Sequence, residues 1–476
     1  MIGIVSAGGY VPRYRLSAKT LASVWGSGGS GERAVANYDE DSLTMAAEAA
    51  LNALHGRGVS RIGACFFAST TPPYLEKSSA TLLAAVADLG PSVLTADFGG
   101  SLRCGTTALR LALDAVKAGT ATEALVAAAD IRPVAPGTPE EIQIGDGAGA
   151  LLVGSADVIA SFEGGASVSR EFTDVWRGPG DRYLTVLPDM TFVKAHGLDK
   201  HIAEAVEGAL HATGRKREDI ARIVLYGPDA RTHAALVKQL RLPERAMPKE
   251  SVIGRTGNTG SASCLLGLAA ALEECRPGDQ VLVVSYGSGA EALLFQCTDR
   301  LAQTAMHRPV SAQLAQGKPL TQYGRFLSFR RHVETEVMRA FSSVPTMVRE
   351  ERQDLRLYGQ KCADCGAVSY PRRHLCWQCS SKSLAEYRIS RRGKIFTFTR
   401  DHLIPSPDPP TVMVSADLEG GGRFYGQLTD CDPAAVTFEQ PVELCFRRIH
   451  EGEGIINYFW KFRPAPSESG IGELFW

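Results

Sequence analysis

One cysteine of the sequence stands where a thiol would be activated. Cys104 lies in the segment DFGGSLRCGTTALRLALDAVKAG (97–119), in which glycines and small hydroxyl residues precede an Ala- and Leu-rich helical pattern. A thiol in the first turn of a helix lies beside unpaired N–H groups and the positive end of the helix dipole, and Arg103 adds a neighbouring cation. Cys104 is therefore a candidate nucleophile. The alternative is a packed core residue, because free cysteine is among the most buried residue types.

Four further cysteines have the spacing of metal ligands. The stretch CADCGAVSYPRRHLCWQC contains two Cys-x-x-Cys pairs, and the ligands it predicts are Cys362, Cys365, Cys376 and Cys379. Four thiolates around a tetrahedral Zn²⁺ form a closed shell, which indicates a structural site. A ribbon this small needs the metal for its stability. A redox dithiol is the alternative, although a single pair would serve that purpose.

The elements that position Cys104 follow an α/β pattern up to about Cys297. The strand candidates are IGIVSAG, GACFFAST, ALVAAAD, ARIVLYG and QVLVVSYG. Between them, DEDSLTMAAEAALNAL and DKHIAEAVEGALHATG start with polar residues and continue with apolar residues at helical spacing, so they predict capped scaffold helices. Alternating strands and helices are typical of a layered α/β domain.

A Ser-x-x-Cys motif occurs twice in this region. Ser101 and Cys104 have counterparts in Ser261 and Cys264, and each pair is followed by an Ala/Leu helix, a polar turn and an apolar strand. The repeat predicts a duplicated domain with two equivalent central helices. A ligand pocket is expected where the starts of those helices meet.

The last part of the chain has a different pattern. Segment 298–357 is irregular and charged, and the segments GKIFTFTRDHLI, TVMVSADLEGGGRFYGQLTD, PVELCFRRI and GIINYFWKFRP alternate around glycines and prolines. Such segments predict short antiparallel strands, and together they favour a small β-barrel.

Composition limits the class of protein. The chain has 476 residues, of which 44% are hydrophobic and 22% charged, a balance typical of a soluble globular protein of several domains. Lys and Arg number 51 against 52 acidic residues, so no global basic field indicates nucleic acid or an anionic membrane as a partner. The start MIGIVSAGGYVPRYRL does not resemble a signal peptide, and no run of about 18 apolar residues occurs. We therefore expect a cytoplasmic protein.

Several motifs resemble known families. Residues 1–335 resemble the 3-hydroxy-3-methylglutaryl-CoA synthase and ketoacyl-acyl-carrier-protein synthase III branch of the thiolase superfamily, through YVPRYRL, FASTTPPYLEKSSATL, GDGAGALLVG and GNTGSAS. The later LYGQKCADCGAVSYPRRHLCWQCSSKSL, SRRGKIFTFTRDH and YGQLTD resemble the zinc-ribbon and OB-fold domains that accompany thiolase-type enzymes and are associated with acyl-CoA. The resemblance implies an α/β fold, a thiolase-like duplicated βαβαβ five-layer domain over 1–335. A linker (336–356), a zinc ribbon (357–384) and a small OB-fold β-barrel (385–476) follow.

The resemblance also implies roles for site residues. Cys104 matches the acylated cysteine of the superfamily, and Asn258 matches an asparagine that helps bind a thioester carbonyl or a water. The loop Gly287, Ser288 and Gly289 could present backbone N–H groups to a thioester oxyanion. Asn258 in an Asn turn, and the glycine loop as a tight turn after a strand, are the structural alternatives. We interpret the glycines of GDGAGA (145–150) as close packing at dimer-forming strands.

Two family residues are replaced in this chain. Tyr226 stands where the synthases have a histidine, and Thr70 stands where the hydroxymethylglutaryl-CoA synthases have a general acid/base glutamate. Glu76 is expected to begin the next helix, and His233 is expected on a helix surface. Tyr226 could act as an acid or a hydrogen-bond donor, or be a buried strand residue.

The implied function is that of an acyl-CoA C-acyltransferase or synthase of the hydroxymethylglutaryl-CoA synthase type. Its substrate would be a coenzyme A thioester, and its assembly a homodimer that acts with a separate thiolase subunit. Two alternatives stay open, because a Claisen condensation needs a base that the two replacements remove. One is a retro-aldol C–C lyase that uses Tyr226, and the other is a non-catalytic acyl-CoA-binding scaffold in a thiolase complex.

Overall fold

The computed structural model describes residues 1–27, 29–248, 251–336, 340 and 342–465. It divides into two compact units, Met1–Phe326 and Leu327–Trp476. Residues 337–339 and 341 of the predicted linker, and residues 466–476 of the predicted OB-fold domain, lie outside the described residues. The predicted domain boundaries therefore stay predictions.

The first unit is built from alternating strands and helices. Its strands are β1 (Gly3–Tyr10), β2 (Tyr14–Ser17), β3 (Glu32–Val35), β4 (Ile62–Ala68), β5 (Leu94–Phe98), β6 (Glu123–Asp130), β7 (Gly147–Gly154), β8 (Ala160–Ser169), β9 (Val175–Trp176), β10 (Thr185–Val186), β11 (Ile220–Leu225), β12 (Gln280–Tyr286), β13 (Gly289–Cys297) and β14 (Lys318–Pro319). Its helices are α1 (Ala18–Trp25), α2 (Ser42–Ala53), α3 (Ser79–Val86), α4 (Cys104–Lys117), α5 (Glu140–Gln143), α6 (Met190–Phe192), α7 (Asp199–Thr213), α8 (Ala230–Gln239), α9 (Val252–Thr256), α10 (Ser263–Glu274), α11 (Val310–Ala315) and α12 (Tyr323–Phe329). A π-helical turn covers Val193–Leu198.

The main sheet shows the predicted duplication. Within the described part of the chain it has nine strands in the order β11-β12-β13-β8-β1-β7-β6-β4-β5. Read outward from the central pair β1 and β8, one half runs β1, β7, β6, β4 and the other β8, β13, β12, β11. From the centre of the sheet outward, each half consists of its first, last, second-last and second strand. The same order in both halves confirms the predicted duplication.

The helices form three layers around the two halves of the sheet. Helices α4 and α10 contact each other between the halves, α2 and α3 cover the outer face of the first half, and α7 covers that of the second. The two central helices approach closely at Gly105, where a Cβ atom would collide with the carbonyl oxygen of Ser261. Only glycine allows this approach, which brings the starts of both helices together.

Local sequence explains where the predicted scaffold helices begin and end. Asp41 caps α2 by accepting a hydrogen bond from the Thr44 N–H (2.9 Å), in a capping box. Helix α7 ends at Gly214, whose φ of 64° is the left-handed conformation that glycine adopts readily. Both helices lie where the polar starts and apolar periodicity predict them.

The GDGAGA glycines are closely packed as predicted, but the expected position at a dimer-forming strand is wrong. Strand β7 lies inside the sheet and pairs with β1 on one side and β6 on the other. A Cβ atom at Gly149 would collide with the backbone of Leu266. These glycines let α10 pack directly on the strand.

The second unit contains a small three-stranded sheet and a closed barrel. The sheet is formed by β15 (Tyr358–Cys362), β16 (Val368–Ser369) and β17 (Leu384–Arg388). The barrel order is β18-β19-β20-β22-β21, with bounds β18 (Arg392–Asp401), β19 (Thr411–Leu418), β20 (Arg423–Leu428), β21 (Pro441–Gly452) and β22 (Ile455–Pro464). Two short helices, α13 (Val344–Arg349) and α14 (Glu351–Asp354), precede the sheet. In the described residues of both units, no helix combines the length and apolar character needed to cross a membrane.

Candidate functional site

Cys104 is the first residue of the central helix α4, as the sequence predicts. Its side chain is 4% exposed, and the Ser261 side chain lies close enough to the thiol to lower its pKa. Ser261 belongs to the turn that leads into the other central helix, α10. The two repeated Ser-x-x-Cys motifs therefore meet at this thiol.

The environment keeps Cys104 protonated. Burial raises the pKa of the thiol above its ordinary value of 9.0, and the negative charge of Asp130 raises it further. The Ser261 hydroxyl and the backbone N–H of Gly105 act in the opposite direction but do not compensate. The helix start thus favours the thiolate as predicted, and burial outweighs it.

The predicted contribution of Arg103 is not found. Its guanidinium donates to the Ser169 hydroxyl (3.1 Å) and to the Val168 carbonyl (3.4 Å), both on β8. The side chain therefore extends along the neighbouring strand, and Arg103 is absent from the groups that shift the pKa of Cys104.

Asn258 and Tyr226 form a buried hydrogen-bonded pair. The Asn258 Nδ2 donates to the Tyr226 hydroxyl at 3.0 Å, and the Asn258 Oδ1 accepts from the Gly260 N–H at 2.8 Å. Both side chains are buried, at 2% and 4% exposed. Burial raises the pKa of Tyr226 to about 12, against an opposing effect from Arg132. Near neutral pH, the Tyr226 hydroxyl is therefore protonated.

The segment from Asn258 to Ser261 links this pair to the thiol. Asn258 bonds Tyr226 at one end of the segment, and the Ser261 side chain lies beside the Cys104 thiol at the other. The structure thus brings the three predicted catalytic residues into one neighbourhood. Asn258 is also part of a turn, because its Oδ1 accepts a backbone bond two residues later.

The glycine loop lies against the turn that precedes Cys104. The Ser101 hydroxyl donates to the Gly287 carbonyl (2.9 Å), and a Cβ atom on Gly287 would lie 2.6 Å from that hydroxyl oxygen. The Gly287 N–H donates to the Gly289 carbonyl (2.9 Å), and Ser288 is exposed with a φ of 48°. The Gly287 amide is therefore engaged within a tight turn, and its use as an oxyanion donor would require that bond to open.

Thr70 follows β4 and contacts the site through its backbone. Its N–H donates to the Asp130 carboxylate at 2.7 Å, and its carbonyl accepts from Arg177 at 3.4 Å. Asp130 is fully buried at the end of β6. It accepts further hydrogen bonds from the Ser69 hydroxyl (2.9 Å), the Thr71 hydroxyl (3.1 Å) and the Ser261 N–H (2.7 Å).

Sequence reasoning missed four residues of this neighbourhood, which are Asp130, Arg132, Asp174 and Tyr286. The hydroxyl of Tyr286 lies near the Asp174 carboxyl, and its ring lies 5.8 Å from that of Tyr226. Burial raises the pKa of Asp174, and the Tyr286 hydroxyl and Arg132 lower it. The available signal was positional, because Asp130, Arg132 and Tyr286 stand at or just beyond strand ends, where α/β ligand sites form. Asp174 lies in an irregular segment that offered no such signal.

The expectations for His233 and Glu76 need correction. His233 is 7% exposed on the inner side of α8, so the expected surface position is wrong, and burial lowers its pKa. Close packing explains the burial, because a Cβ atom at Gly227 would lie 2.7 Å from the His233 Cβ. Glu76 is exposed and precedes α3, whose cap is Ser78.

The four predicted metal ligands converge in the second unit. The Sγ atoms of Cys362 and Cys379 lie 3.7 Å apart, and those of Cys365 and Cys376 lie 3.6 Å apart. All four sulfurs lie within 4.8 Å of one another. Zn–S bonds of about 2.3 Å in a tetrahedron require sulfur separations of about 3.8 Å. The donor set therefore fits a structural zinc ion.

Comparisons with known families agree with both units. Residues 210–296 match the C-terminal part of 3-oxoacyl-[acyl-carrier-protein] synthase III. Residues 349–385 match the rubredoxin-like zinc ribbon domain of ChsH2, and residues 386–447 match its C-terminal OB-fold domain. These matches confirm the predicted zinc ribbon and OB fold.

Similar proteins cover the first unit. A hydroxymethylglutaryl-CoA synthase from Methanopyrus kandleri is 33% identical over 345 residues, which cover 70% of this chain and 98% of that protein. One from Methanosarcina mazei is 32% identical over 341 residues, which cover 68% of this chain and 97% of that protein.

A solved structure, described as HMG-CoA synthase complexed with CoA, shares the fold. Its TM-score is 0.61 at 21% identity, with 72% of this chain and 95% of that chain covered. The fold, the duplicated topology and the identity to the curated relatives lead to one conclusion. The chain belongs to the hydroxymethylglutaryl-CoA synthase family of the thiolase superfamily, a family of acyltransferases that form carbon–carbon bonds, and it carries a zinc ribbon and an OB-fold domain in the same polypeptide.

Proposed function

We propose that this chain is an acyl-CoA C-acyltransferase in which Cys104 carries the acyl group. The observation that supports the proposal most is the segment from Asn258 to Ser261, which bonds the Tyr226 hydroxyl at one end and holds the Ser261 side chain beside the Cys104 thiol at the other. A nucleophile, an amide and a proton donor held in one neighbourhood suit acyl transfer followed by carbon–carbon bond formation.

The acylation step exchanges one thioester for another. The Cys104 sulfur attacks the thioester carbonyl, the bond from that carbon to the coenzyme A sulfur breaks, and coenzyme A leaves as the thiol with the proton of Cys104. Asn258 and the loop of Gly287, Ser288 and Gly289 would stabilise the thioester oxygen, and Thr70 would line the acyl site. Tyr226 would then donate a proton to the oxygen anion that forms when the new carbon–carbon bond closes.

The proposal includes partners. A homodimer that acts with a separate thiolase subunit would explain why Tyr226 and Thr70 replace the histidine and glutamate of related synthases. Since burial raises the pKa of both Cys104 and Tyr226, neither is poised as a base at neutral pH. We place the base on the second subunit, and the complex in the cytoplasm.

The two alternatives predict other behaviour. A retro-aldol lyase would need Tyr226 as a base, and its raised pKa favours the opposite role. A non-catalytic scaffold would bind acyl-CoA without any covalent adduct. Acylation of Cys104 therefore separates the leading proposal from the scaffold.

The test is intact-mass spectrometry after incubation of the full chain with acetyl-CoA and longer acyl-CoAs. We expect one acyl adduct on the wild type and none on Cys104→Ala, because that variant lacks the nucleophile. Cys264→Ala is the matched control, since Cys264 is the equally buried repeat-mate and its Sγ faces the Val284 carbonyl. An unmodified wild type, or an adduct that persists in Cys104→Ala, would contradict the proposal.

A further inference from the structure

A buried arginine that has no partner among the described residues lies beside the proposed acyl site. Arg132 comes two residues after the end of β6 and is 4% exposed. Across the described ranges, its guanidinium makes no hydrogen bond and no ion pair. The guanidinium nitrogens of Arg132 are not completely enclosed by protein atoms, so a ligand atom can reach them. A guanidinium stays charged and carries five N–H donors, which makes burial without an acceptor costly.

The position of Arg132 connects it to the residues that surround Cys104. A Cβ atom on Gly260 would lie 3.0 Å from the Arg132 Cδ and would also collide with the Asp130 carboxylate. Gly260 stands between Asn258, which bonds Tyr226, and Ser261, whose side chain lies beside the Cys104 thiol. The charge of Arg132 acts on Tyr226 and Asp174, where it offsets part of the pKa increase that burial causes.

The acids nearest to Arg132 are already engaged. Asp130 accepts four hydrogen bonds, from Ser69, Thr70, Thr71 and Ser261. Asp174 lies close enough to the Tyr286 hydroxyl for that hydroxyl to lower its pKa, so it also has a polar neighbour in the protein. An anion that pairs with Arg132 is therefore expected to come from a ligand.

The reacting end of the substrate identifies that anion. The phosphates of coenzyme A lie at the far end of the pantetheine arm from the thioester, whereas Arg132 lies beside Gly260, in the segment that joins Tyr226 to the neighbourhood of the thiol. A planar guanidinium binds a carboxylate through two parallel hydrogen bonds. We propose that Arg132 binds a second carboxylate on the acyl group, so that the site takes dicarboxylic acyl-CoA thioesters. This inference rests on the proposed function, because it assumes that the acyl group lies at Cys104.

Binding of matched thioesters tests the inference without the covalent step. In the Cys104→Ala protein, calorimetry compares glutaryl-CoA with valeryl-CoA and succinyl-CoA with butyryl-CoA. We expect the dicarboxylic thioesters to bind about 10- to 100-fold more tightly, as a hydrogen-bonded charge pair provides. A second substitution in this protein, Arg132→Met, should remove the preference because it weakens the binding of the dicarboxylic thioesters alone. Arg132→Lys in its place should retain part of the preference.

Arg61→Met provides the matched control, because Arg61 is a half-exposed arginine of the same unit that pairs with Glu123. It should leave the preference unchanged. The role of Arg132 would be overturned if both thioesters of each pair bound with equal affinity, or if Arg132→Met lowered the affinity for all four equally. Neither result would affect the proposed acylation of Cys104. If none of the four thioesters binds and the wild type forms no adduct, the proposed function fails together with this inference.

Discussion

At the scale of single residues, Cys104 combines the position of a nucleophile with the environment of a core thiol. It starts a central helix and lies beside Ser261, yet burial and the charge of Asp130 raise its pKa. Both interpretations of the sequence therefore hold in part. The resting thiol is protonated, and its reactivity depends on what removes that proton.

Alkylation should report this protonation state. Below the pKa of a thiol, the thiolate fraction rises about tenfold for each pH unit, so a raised pKa moves the plateau above the ordinary value of 9.0. We expect the rate of Cys104 alkylation by iodoacetamide, followed by peptide mass spectrometry, to rise about tenfold per unit from pH 7 to pH 9. A plateau below pH 8 would show a lowered pKa. Cys104→Ala identifies the background from other thiols.

The sequence predicts which residues form the site better than it predicts their burial and protonation state. The repeat and the family motifs identify Cys104, Asn258 and Tyr226, because their positions relative to helix and strand ends are visible in the pattern. Burial is a property of the packed molecule, so the raised pKa of Cys104 is not visible there. Arg103 shows the same limit, since a neighbour in sequence can extend along another strand.

At the scale of elements, the turn before α10 carries the site. Gly260 adopts a φ of 62°, and its missing side chain makes room for both Asp130 and Arg132. This turn holds Asn258 and Ser261 at fixed separation, so its backbone conformation sets the geometry of the thiol and the phenol. The pattern GNTGSAS indicates a turn, but not that two charged side chains flank it.

Gly260→Ala should therefore destabilise the first unit. A non-glycine residue in this conformation, with a Cβ atom against Asp130, costs roughly 1–3 kcal/mol of the free energy of unfolding. Urea unfolding of the full chain measures the change. Gly90→Ala is the matched control, because nothing lies within 4 Å of its Cβ position and its φ is ordinary, so its effect should stay within about 0.5 kcal/mol. Equal stability of the two variants would contradict this account of the turn.

At the scale of the whole molecule, the two units depend on different sources of stability. The first unit has a large apolar core that includes both central helices. The ribbon of the second unit is a three-stranded sheet whose four cysteines converge from two knuckles. The spacing of these cysteines is enough to predict the site, because the ligand geometry is set by local chain turns. The division after Phe326 has no comparable local signal, since it depends on contacts between distant segments.

Removal of one ligand should release the metal and affect the second unit alone. We expect about one zinc per wild-type chain and a loss of zinc in Cys365→Ala, measured by atomic emission, because three thiolates leave the tetrahedral shell open. The unfolding transition of the first unit should not change, as it supplies none of these ligands. Cys431→Ala, a cysteine of the same unit outside the cluster, should retain the metal. Full zinc content in Cys365→Ala would argue against the four-sulfur site.

The bonds of Asp130 bear on how a substrate enters. This one carboxylate joins the loop after β4, in the first half of the duplicated domain, to the Ser261 N–H in the second half. The halves cannot separate at the thiol without breaking a buried, charge-assisted hydrogen bond. A hinge motion that parts the two halves at Cys104 is therefore not expected during substrate entry.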